Sequence, residues 1–182
     1  MGSRAVPPPP AVASFLAGDE RLERCPPNAS YAEQMLERIV TEEIEDMLHA
    51  AAQGRWRKAN TYGYDGARKA IEAWLLMFGW RVRAAPGAHA AVVEVADRWL
   101  SGEPAPGPRV ARSFSAARKA RHDDEYPSPM APERTDRELR ALTLDSARLI
   151  NEARKVAGLE PVDGIVPTGA LLEERPERRP GN

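Results

Sequence analysis

The sequence predicts an all-α protein, a four- to five-helix up-down bundle. Apolar residues recur at three- and four-residue steps in several long segments, which is the period of an α-helix with one buried face. Proline and glycine separate these segments, and no alternating strand pattern lies between them. The chain of 182 residues has room for one domain of about 130 residues between a proline-rich front and a polar tail.

Composition divides the chain into three regions. Residues 1–29 contain two proline runs and little apolar periodicity, which predicts a disordered, proline-rich leader. Residues 30–158 carry the periodic segments and form the predicted bundle. Residues 159–182 form a polar tail, in which a few apolar side chains would dock on the bundle: Ile165, Val166 or Leu171 with Leu172.

The net charge of the whole protein is near zero, so it does not by itself indicate binding to a nucleic acid. The chain has 26 basic and 27 acidic side chains, so a nucleic-acid footprint would have to be local. One cysteine, Cys25, provides neither a disulfide framework nor a metal-ligand pair. We therefore expect no metal and no other cofactor, and a reducing cytoplasm fits. No run reaches the roughly 18 apolar residues of a membrane span, so no membrane contact is expected.

The first predicted helix begins at Ser30, which forms a Ser-x-x-Glu start with Glu33. Its apolar face runs through Leu36, Ile39, Val40, Ile44, Met47, Leu48 and Ala51. The acidic residues mostly lie elsewhere and are predicted to form a solvated face rather than a metal cluster: Glu33, Glu37, Glu42, Glu45 and Asp46. After Gly54, a short connecting turn or helix precedes Gly63.

The second helix is predicted from about Tyr64 to Phe78, with Gly79 as its stop. It is rich in small residues, which would let a neighbouring helix approach closely: Gly66, Ala67, Ala70 and Ala73. The third helix, residues 90–100, follows a Pro-Gly turn, and His89 lies at its start. There the imidazole would bond a backbone group or partner a polar residue.

The fourth helix carries the most informative residue. Val110, Phe114 and Ala117 lie on one stripe of this helix, and Arg121 takes the next position on that stripe. A buried guanidinium needs a partner, so Arg121 must meet an acid, face a groove or face another subunit. Asp124 and Glu125 are at the spacings that pair within one helix.

The same helix is locally basic, with five basic residues and no acid between positions 109 and 121. Arg118, His122 and Tyr126 form an i, i+4, i+8 row at about 100° per residue, with Arg121 beside it. A fifth helix then begins at a Thr135-x-x-Glu138 start. It ends at Gly158 after a long apolar stripe that includes Leu139, Leu142, Leu149, Ile150 and Val156.

Two of these segments together resemble the HEPN superfamily. The first is Tyr64-Asp65-x-Ala67-Arg68-x-Ala70-x-Glu72-Ala73, followed by Gly79-Trp80-Arg81 and then His89. The second is Arg118-x-x-Arg121-His122-x-x-Glu125-Tyr126-Pro127. The resemblance covers roughly residues 31 to 157. HEPN proteins are small helical bundles, usually dimers. Many are metal-independent ribonucleases of toxin–antitoxin, abortive-infection and CRISPR systems, and others bind nucleotides or RNA without cutting.

The resemblance implies an RNA-directed protein, a ribonuclease toxin or effector of a toxin–antitoxin or defence system. The alternatives are a catalytically inactive HEPN module that binds a partner protein or nucleotide, and a helical adaptor. It further implies a homodimer through the face that carries the motif, with RNA and an antitoxin or nucleotidyltransferase as partners.

The family motif assigns roles to individual residues. Arg121 matches its arginine, His122 the polar residue after it, and Tyr126 stands at the closing position, where the family has histidine. Histidine is the natural acid–base group for attack by a 2′-hydroxyl on phosphate, so its replacement favours the inactive alternative. Three sets of site residues follow: Arg121, His122 and Tyr126 as catalytic candidates; Arg118, Lys119 and Arg112 as RNA-binding candidates; and Asp65, Glu72, His89 and Glu125 as structural or accessory residues.

Overall fold

Helices account for most of the structure, a computed structural model that describes residues 8–103 and 107–165. The α-helices are α1 (Pro10–Gly18), α2 (Ala29–Ile39), α3 (Glu45–Ala52), α4 (Trp56–Met77), α5 (Ala88–Ser101), α6 (Gly107–Glu125) and α7 (Asp136–Val156). A five-residue π-helix, Val40–Ile44, joins α2 to α3. The strands β1 (Leu22–Arg24) and β2 (Trp80–Val82) are three residues each. The predicted all-α class is confirmed.

Helix α4 is the centre of the bundle. It packs against α2, α3, α5, α6 and α7, and twelve of its residues are buried. Near its end, the Trp74 ring stacks on Trp99 of α5 at 5.0 Å between centroids and meets Phe78 edge-on at 5.0 Å. Such aromatic pairs add stabilisation beyond the area that they bury. Polar residues that project from α4 are therefore held at fixed positions relative to the surrounding helices.

Two glycines inside α4 explain how closely its neighbours approach. A Cβ at Gly63 would lie 3.2 Å from Met47 Sδ, and one at Gly66 would lie 3.1 Å from Ile150 Cδ1. The close approach predicted at Gly66 is thus observed. The predicted break at Gly63 is wrong, because α4 runs unbroken from Trp56, and this glycine gives α3 and α7 space rather than ending a turn.

The helix starts agree with the sequence in one case and differ in another. At α7, Thr135 and Glu138 form the predicted capping box, in which each side chain accepts from the other residue's backbone N–H. At α2, the predicted Ser30–Glu33 start is wrong, since the helix begins at Ala29. The side chain of Asn28 accepts a hydrogen bond from Tyr31 N at 3.0 Å, and asparagine is as good an N-cap residue as serine.

The predicted disordered leader is wrong for residues 10–24. They form α1 and β1, and α1 packs on α5. Val12 and Leu16 are i, i+4 partners, and both are buried with Leu22. Pro9 and Pro10 stand at the N-cap and first position of α1, where a missing N–H costs nothing. Residues 1–7 lie outside the described part of the chain.

The absence of strands was also predicted wrongly. β1 and β2 form an antiparallel pair with Leu22 opposite Val82 and Arg24 opposite Trp80. Gly79 makes this pairing reachable from the end of α4, because its φ is +75° and a Cβ there would lie 2.8 Å from Cys25 O. Only glycine fits such a left-handed position beside another backbone without strain. Gly79 is therefore both the predicted stop of α4 and the entry to β2.

Four of the acids predicted to be solvated are exposed, and Glu33 is half-buried. Glu43, which that prediction did not name, is buried and forms an ion pair with Lys69 of α4. The π-helix places it there. The Glu45 N–H bonds to Val40 O, one residue further back than in an α-helix. This widened turn brings the Glu43 carboxylate to α4, a position that the α-helical period of the sequence does not predict.

The beginning of the predicted polar tail is packed against the bundle. Ile165 is buried, and the Val162 N–H donates to Asn151 Oδ1 at 2.9 Å. Buried Arg154 donates to Glu160 O at 2.9 Å and to Leu36 O at 3.1 Å, which ties the turn after α7 to α2. The docking predicted for Ile165 is observed. The other tail residues for which docking was predicted lie outside the described residues.

Candidate functional site

Three helices meet at the ring of Tyr64. This side chain of α4 is wholly buried, and Phe114 of α6 stacks on it with 5.3 Å between centroids. His89, from the start of α5, lies with its ring centroid 6.5 Å from the same ring. The guanidinium carbon of Arg121, near the end of α6, lies 5.9 Å from the Tyr64 centroid. The tyrosine thus brings two predicted site residues together that are distant in the sequence.

Arg121 meets acids on two helices. Its Nε lies 3.1 Å from Asp65 Oδ1 of α4, and its Nη1 donates to Glu125 Oε2 at 2.6 Å within α6. Only 20% of its side chain is exposed. Burial opposes the charged form of the guanidinium, but attraction and hydrogen bonding to Asp65 outweigh it, so the pKa of Arg121 is raised. Arg121 lies on the apolar stripe because it pairs with the Asp65 carboxylate of α4. Meeting an acid was one of the three predicted alternatives.

Arg68 extends this network along α4. It donates to Glu72 Oε1 at 2.7 Å, and its Nε lies 3.9 Å from Asp65 Oδ1. The sequence interpretation quoted Arg68 within the family pattern but assigned it no role, and it assigned none to Tyr64. A usable signal was present, because Tyr64, Arg68 and Glu72 follow each other at four-residue steps and therefore share one face of the helix.

Three polar atoms of this cluster are buried without hydrogen-bond partners among the described residues: Tyr64 Oη, Asp65 Oδ1 and Arg68 Nε. Burial raises the pKa of Tyr64 to about 12, so its phenol keeps its proton at neutral pH. Unpaired buried polar atoms are rare because each costs free energy. Two of the three atoms belong to ion pairs, because Asp65 Oδ1 lies 3.1 Å from Arg121 Nε and 3.9 Å from Arg68 Nε. These charges partly compensate for the missing hydrogen bonds.

His89 is the imidazole that the fold brings to the cluster. It lies in the first turn of α5, after Gly87, whose φ of +85° starts the helix. Its side chain is exposed at the edge of the site. The ring still loses part of its hydration to the neighbouring side chains, and this partial desolvation, followed by the nearby charges of Arg68 and Arg121, lowers the pKa of His89. The imidazole is therefore mainly neutral at pH 7, with a ring nitrogen free to accept a proton.

The two aspartates after His122 are not directed at the arginines of the cluster. Asp124 accepts from Arg57 Nη1 of α4 at 2.7 Å, and Asp123 lies 3.8 Å from Arg134 Nη2. Of the two acids predicted to pair with Arg121 within α6, Glu125 does so, whereas Asp124 pairs with Arg57 of α4. Asp123 and Asp124 thus hold the end of α6 to its neighbours. The negative charge of the cluster comes largely from Asp65, Glu72 and Glu125.

His122 and Tyr126 lie on the outer side of α6. Their ring centroids are 5.0 Å apart, and the Tyr126 N–H donates to His122 O at 2.9 Å. His122 is exposed, and 66% of Tyr126 is exposed. The predicted row with Arg118 is present as a helical face, but the described contacts of these two rings are with each other. The ion-paired cluster instead receives its imidazole from α5.

Two of the three basic candidates, Arg112 and Lys119, lie on the outer surface of α6. Arg112 and Lys119 are exposed, and Arg118 is half-buried next to Arg121. At about 100° per residue, Arg112 and Lys119 project within about 20° of each other. Within residues 8–103 and 107–165, no carboxylate lies within salt-bridge distance of these three side chains. Their charge is therefore available to an anion.

Comparisons of the chain with protein-family models, curated proteins and solved structures find no match. In the described ranges, no group of three or more His, Cys, Asp or Glu side chains is arranged to hold a metal ion. No described helix is both long and apolar enough to cross a membrane.

Proposed function

We propose that this chain is an RNA-directed protein that binds the phosphate backbone at the junction of α4, α5 and α6. The observation that carries the proposal is the position of Arg118, which lies one helical turn before Arg121 and has no acidic partner among the described residues. Arginine suits this task because its planar fork can donate two hydrogen bonds to one phosphate. The resemblance to HEPN proteins assigns the same stretch to RNA.

The charge of the site supports backbone binding rather than base reading. Arg112 and Lys119 project along one side of α6, and Arg118 projects about 100° away from Lys119, toward Arg121. A nucleic-acid strand that crosses α6 can contact these cations through successive phosphates. His89, 6.5 Å from Tyr64 between ring centroids, is exposed, and so are His122 and Tyr126, which lie next to each other near the end of α6. Exposed rings next to basic side chains are the arrangement on which single-stranded bases stack.

A toxin or defence effector is the cellular role that goes with this proposal. It rests on the resemblance, as do the proposed homodimer through the motif-bearing face, an antitoxin or nucleotidyltransferase partner, and a cytoplasmic place of action. A two-fold dimer through that face would bring two copies of Arg118 and Arg121 together and double the number of phosphate contacts.

A catalytically inactive module that binds a partner protein or nucleotide is the second candidate. The observation that favours it is the ion-paired state of Arg121, whose guanidinium already faces the carboxylates of Asp65 and Glu125. An arginine that is held by these two ion pairs stabilises the fold, in addition to any part that it takes in binding. Such a module would bind its partner without changing RNA.

The test is a filter-binding titration of the purified protein with total RNA. Lys119→Ala should weaken binding and reduce its salt dependence by about one phosphate contact. Lys155→Ala is the matched control, because Lys155 is also an exposed lysine but lies near the far end of α7. Equal binding by both variants and the wild type, or no binding by the wild type, would refute the proposal.

A further inference from the structure

His89 and Arg121 occupy one site although they belong to different helices. Both lie against the ring of Tyr64, at 6.5 Å between ring centroids for His89 and 5.9 Å from the guanidinium carbon for Arg121. Tyr64 is wholly buried and stacks on Phe114, so its ring is held in place next to both groups. The His89 side chain is exposed, so a ligand bound next to Arg121 can reach the imidazole.

The two other histidines of the chain are placed differently. His49 of α3 shares a hydrogen bond of 2.8 Å with Gln53 on the surface. His122 lies next to Tyr126 on the outer side of α6, with the two rings tilted and 5.0 Å between their centroids. Of the three imidazoles, His89 is the one that lies with Arg121 over the Tyr64 ring. In the described residues its side chain makes no hydrogen bond, so nothing in the fold occupies its nitrogens.

We propose that His89 is the acid–base group of an RNA-cleaving site, with Arg121 and Arg118 as the anion-stabilising groups; this inference rests on the proposed RNA binding. A neutral ring nitrogen of His89 accepts the proton of a ribose 2′-hydroxyl as O2′ attacks the adjacent phosphorus. The O2′–P bond forms and the P–O5′ bond breaks. The leaving 5′-oxygen takes a proton from water, and the imidazolium returns its proton to solvent.

The products are a 2′,3′-cyclic phosphate and a 5′-hydroxyl end, and no oxidant or other co-reactant is needed. The arginines act where charge builds up, on the phosphoryl oxygens of the transition state. Arg118 is available for this at once. Arg121 can turn part of its fork toward the phosphate while its Nε stays with Asp65, because a guanidinium has five N–H donors.

The groups that face His89 keep it in the basic form. From α4 they are Asp65, Arg68 and Glu72 with the Tyr64 phenol, and from α6 they include Arg121. The two arginines disfavour the imidazolium, and the two acids oppose them. A base with this balance stays neutral at pH 7 and is charged only transiently during the reaction.

The experiment follows total RNA and denatured single-stranded DNA in parallel, with binding and cleavage measured on the same protein samples. The wild type is expected to cut RNA to fragments with cyclic phosphate ends and to leave DNA intact, since DNA lacks the 2′-hydroxyl. His89→Gln should bind RNA like the wild type and cut it at least about 100-fold more slowly. His49→Ala, another exposed histidine, is the matched control and should cut normally.

Two further measurements separate a chemical role from a structural one. Free imidazole should restore part of the cleavage to His89→Ala, whose fold is checked by its melting temperature, because the position is exposed. The cleavage rate of the wild type should rise with pH to a plateau, with a midpoint below 6.5. A merely structural histidine would show neither the rescue nor this profile.

The outcomes also distinguish this inference from the proposed function. RNA binding without any cleavage by the wild type would overturn the role of His89 and leave the RNA-binding protein. Normal cleavage by His89→Gln, or cleavage lost in His122→Ala and retained in His89→Gln, would overturn it as well and return the acid–base role to α6. No RNA binding at all would remove both proposals together.

Discussion

Arg121 and Asp65 join α6 to α4 through a partly buried ion pair, with 3.1 Å between Arg121 Nε and Asp65 Oδ1. Each side chain is less than one quarter exposed. The pair lies over the Tyr64 ring and next to Glu125, so it connects the family-like motif of α6 to the central helix. The same guanidinium therefore belongs to the fold and to the proposed binding site.

Removing this arginine should destabilise the protein. Arg121→Ala leaves the Asp65 carboxylate without its main partner, and the free energy of unfolding should fall by roughly 1–3 kcal/mol, less than for a fully buried pair. Urea denaturation measures the change. Arg38→Ala is the control, since it removes an exposed i, i+4 pair with Glu42 and should leave the midpoint almost unchanged.

A double-mutant cycle with Asp65→Asn then isolates the interaction of the pair. If Arg121→Ala is as stable as the wild type, the ion pair contributes nothing to the fold and the arginine is held ready for a ligand alone.

His89 should titrate below 6.5 because partial desolvation and then Arg68 and Arg121 lower its pKa. In the unfolded chain it regains an ordinary pKa, so the unfolded state takes up a proton first as the pH falls. The contribution of His89 to stability is therefore complete above pH 6.5 and declines between 6.5 and the folded midpoint. NMR of the ring protons gives that midpoint.

Arg68→Ala should move the His89 midpoint upward, since it removes a positive charge from the surroundings of the imidazole. Lys155→Ala, at the far end of α7, should leave it in place. A midpoint at or above 6.5 in the wild type would show that the arginines do not act on this ring.

Gly79→Ala should lower stability through the backbone. The new Cβ would be placed at a φ of +75° and 2.8 Å from Cys25 O. A left-handed conformation alone costs an L-residue about 1–2 kcal/mol, and the contact adds to this. The melting temperature records the loss. Gly18→Ala is the matched control, because a Cβ there meets nothing within 4 Å; an equal loss in both variants would contradict the prediction.

Leu16→Ala tests whether the proline-rich front belongs to the core. Leu16 of α1 is 1% exposed, and truncating a buried leucine to alanine costs about 2–5 kcal/mol. A chemical denaturation curve should show this loss, while Glu20→Ala, an exposed position in the turn after α1, should be close to the wild type. Unchanged stability of Leu16→Ala would indicate that α1 adds nothing to the bundle.

Local sequence signals predicted the helices and some of their ends. The Thr135–Glu138 box and the stop at Gly79 depend on neighbours within a few residues, and both are observed. The front of the chain was misread because its prolines outweighed a short apolar face, Val12 with Leu16. That face is only two turns long, so it becomes a helix through packing on α5 rather than through its own propensity.

The candidate site was predicted in part. The position of Arg121 on an apolar stripe correctly required a special partner, but the partner lies on α4. Contacts between helices depend on their rotation and height, which one helix's periodicity does not specify. The contact of His89 and Arg121 with the Tyr64 ring also depends on how the helices pack. The sequence identified His89 and Arg121 separately but did not predict that they lie at one site.

The π-helix Val40–Ile44 has a consequence for how this chain tolerates changes of length. Its i→i+5 bond takes up one residue more than an α-helical turn. Deleting one residue inside this segment would restore a regular α-helix from α2 to α3, and both helices would keep their faces toward α4. Deleting one residue elsewhere in that run would turn every following side chain by about 100° and expose Met47 or Ala50. In this helical run, a one-residue deletion within Val40–Ile44 should therefore be tolerated, whereas deletions elsewhere and insertions should not. The tolerated deletion would lose the Glu43–Lys69 ion pair.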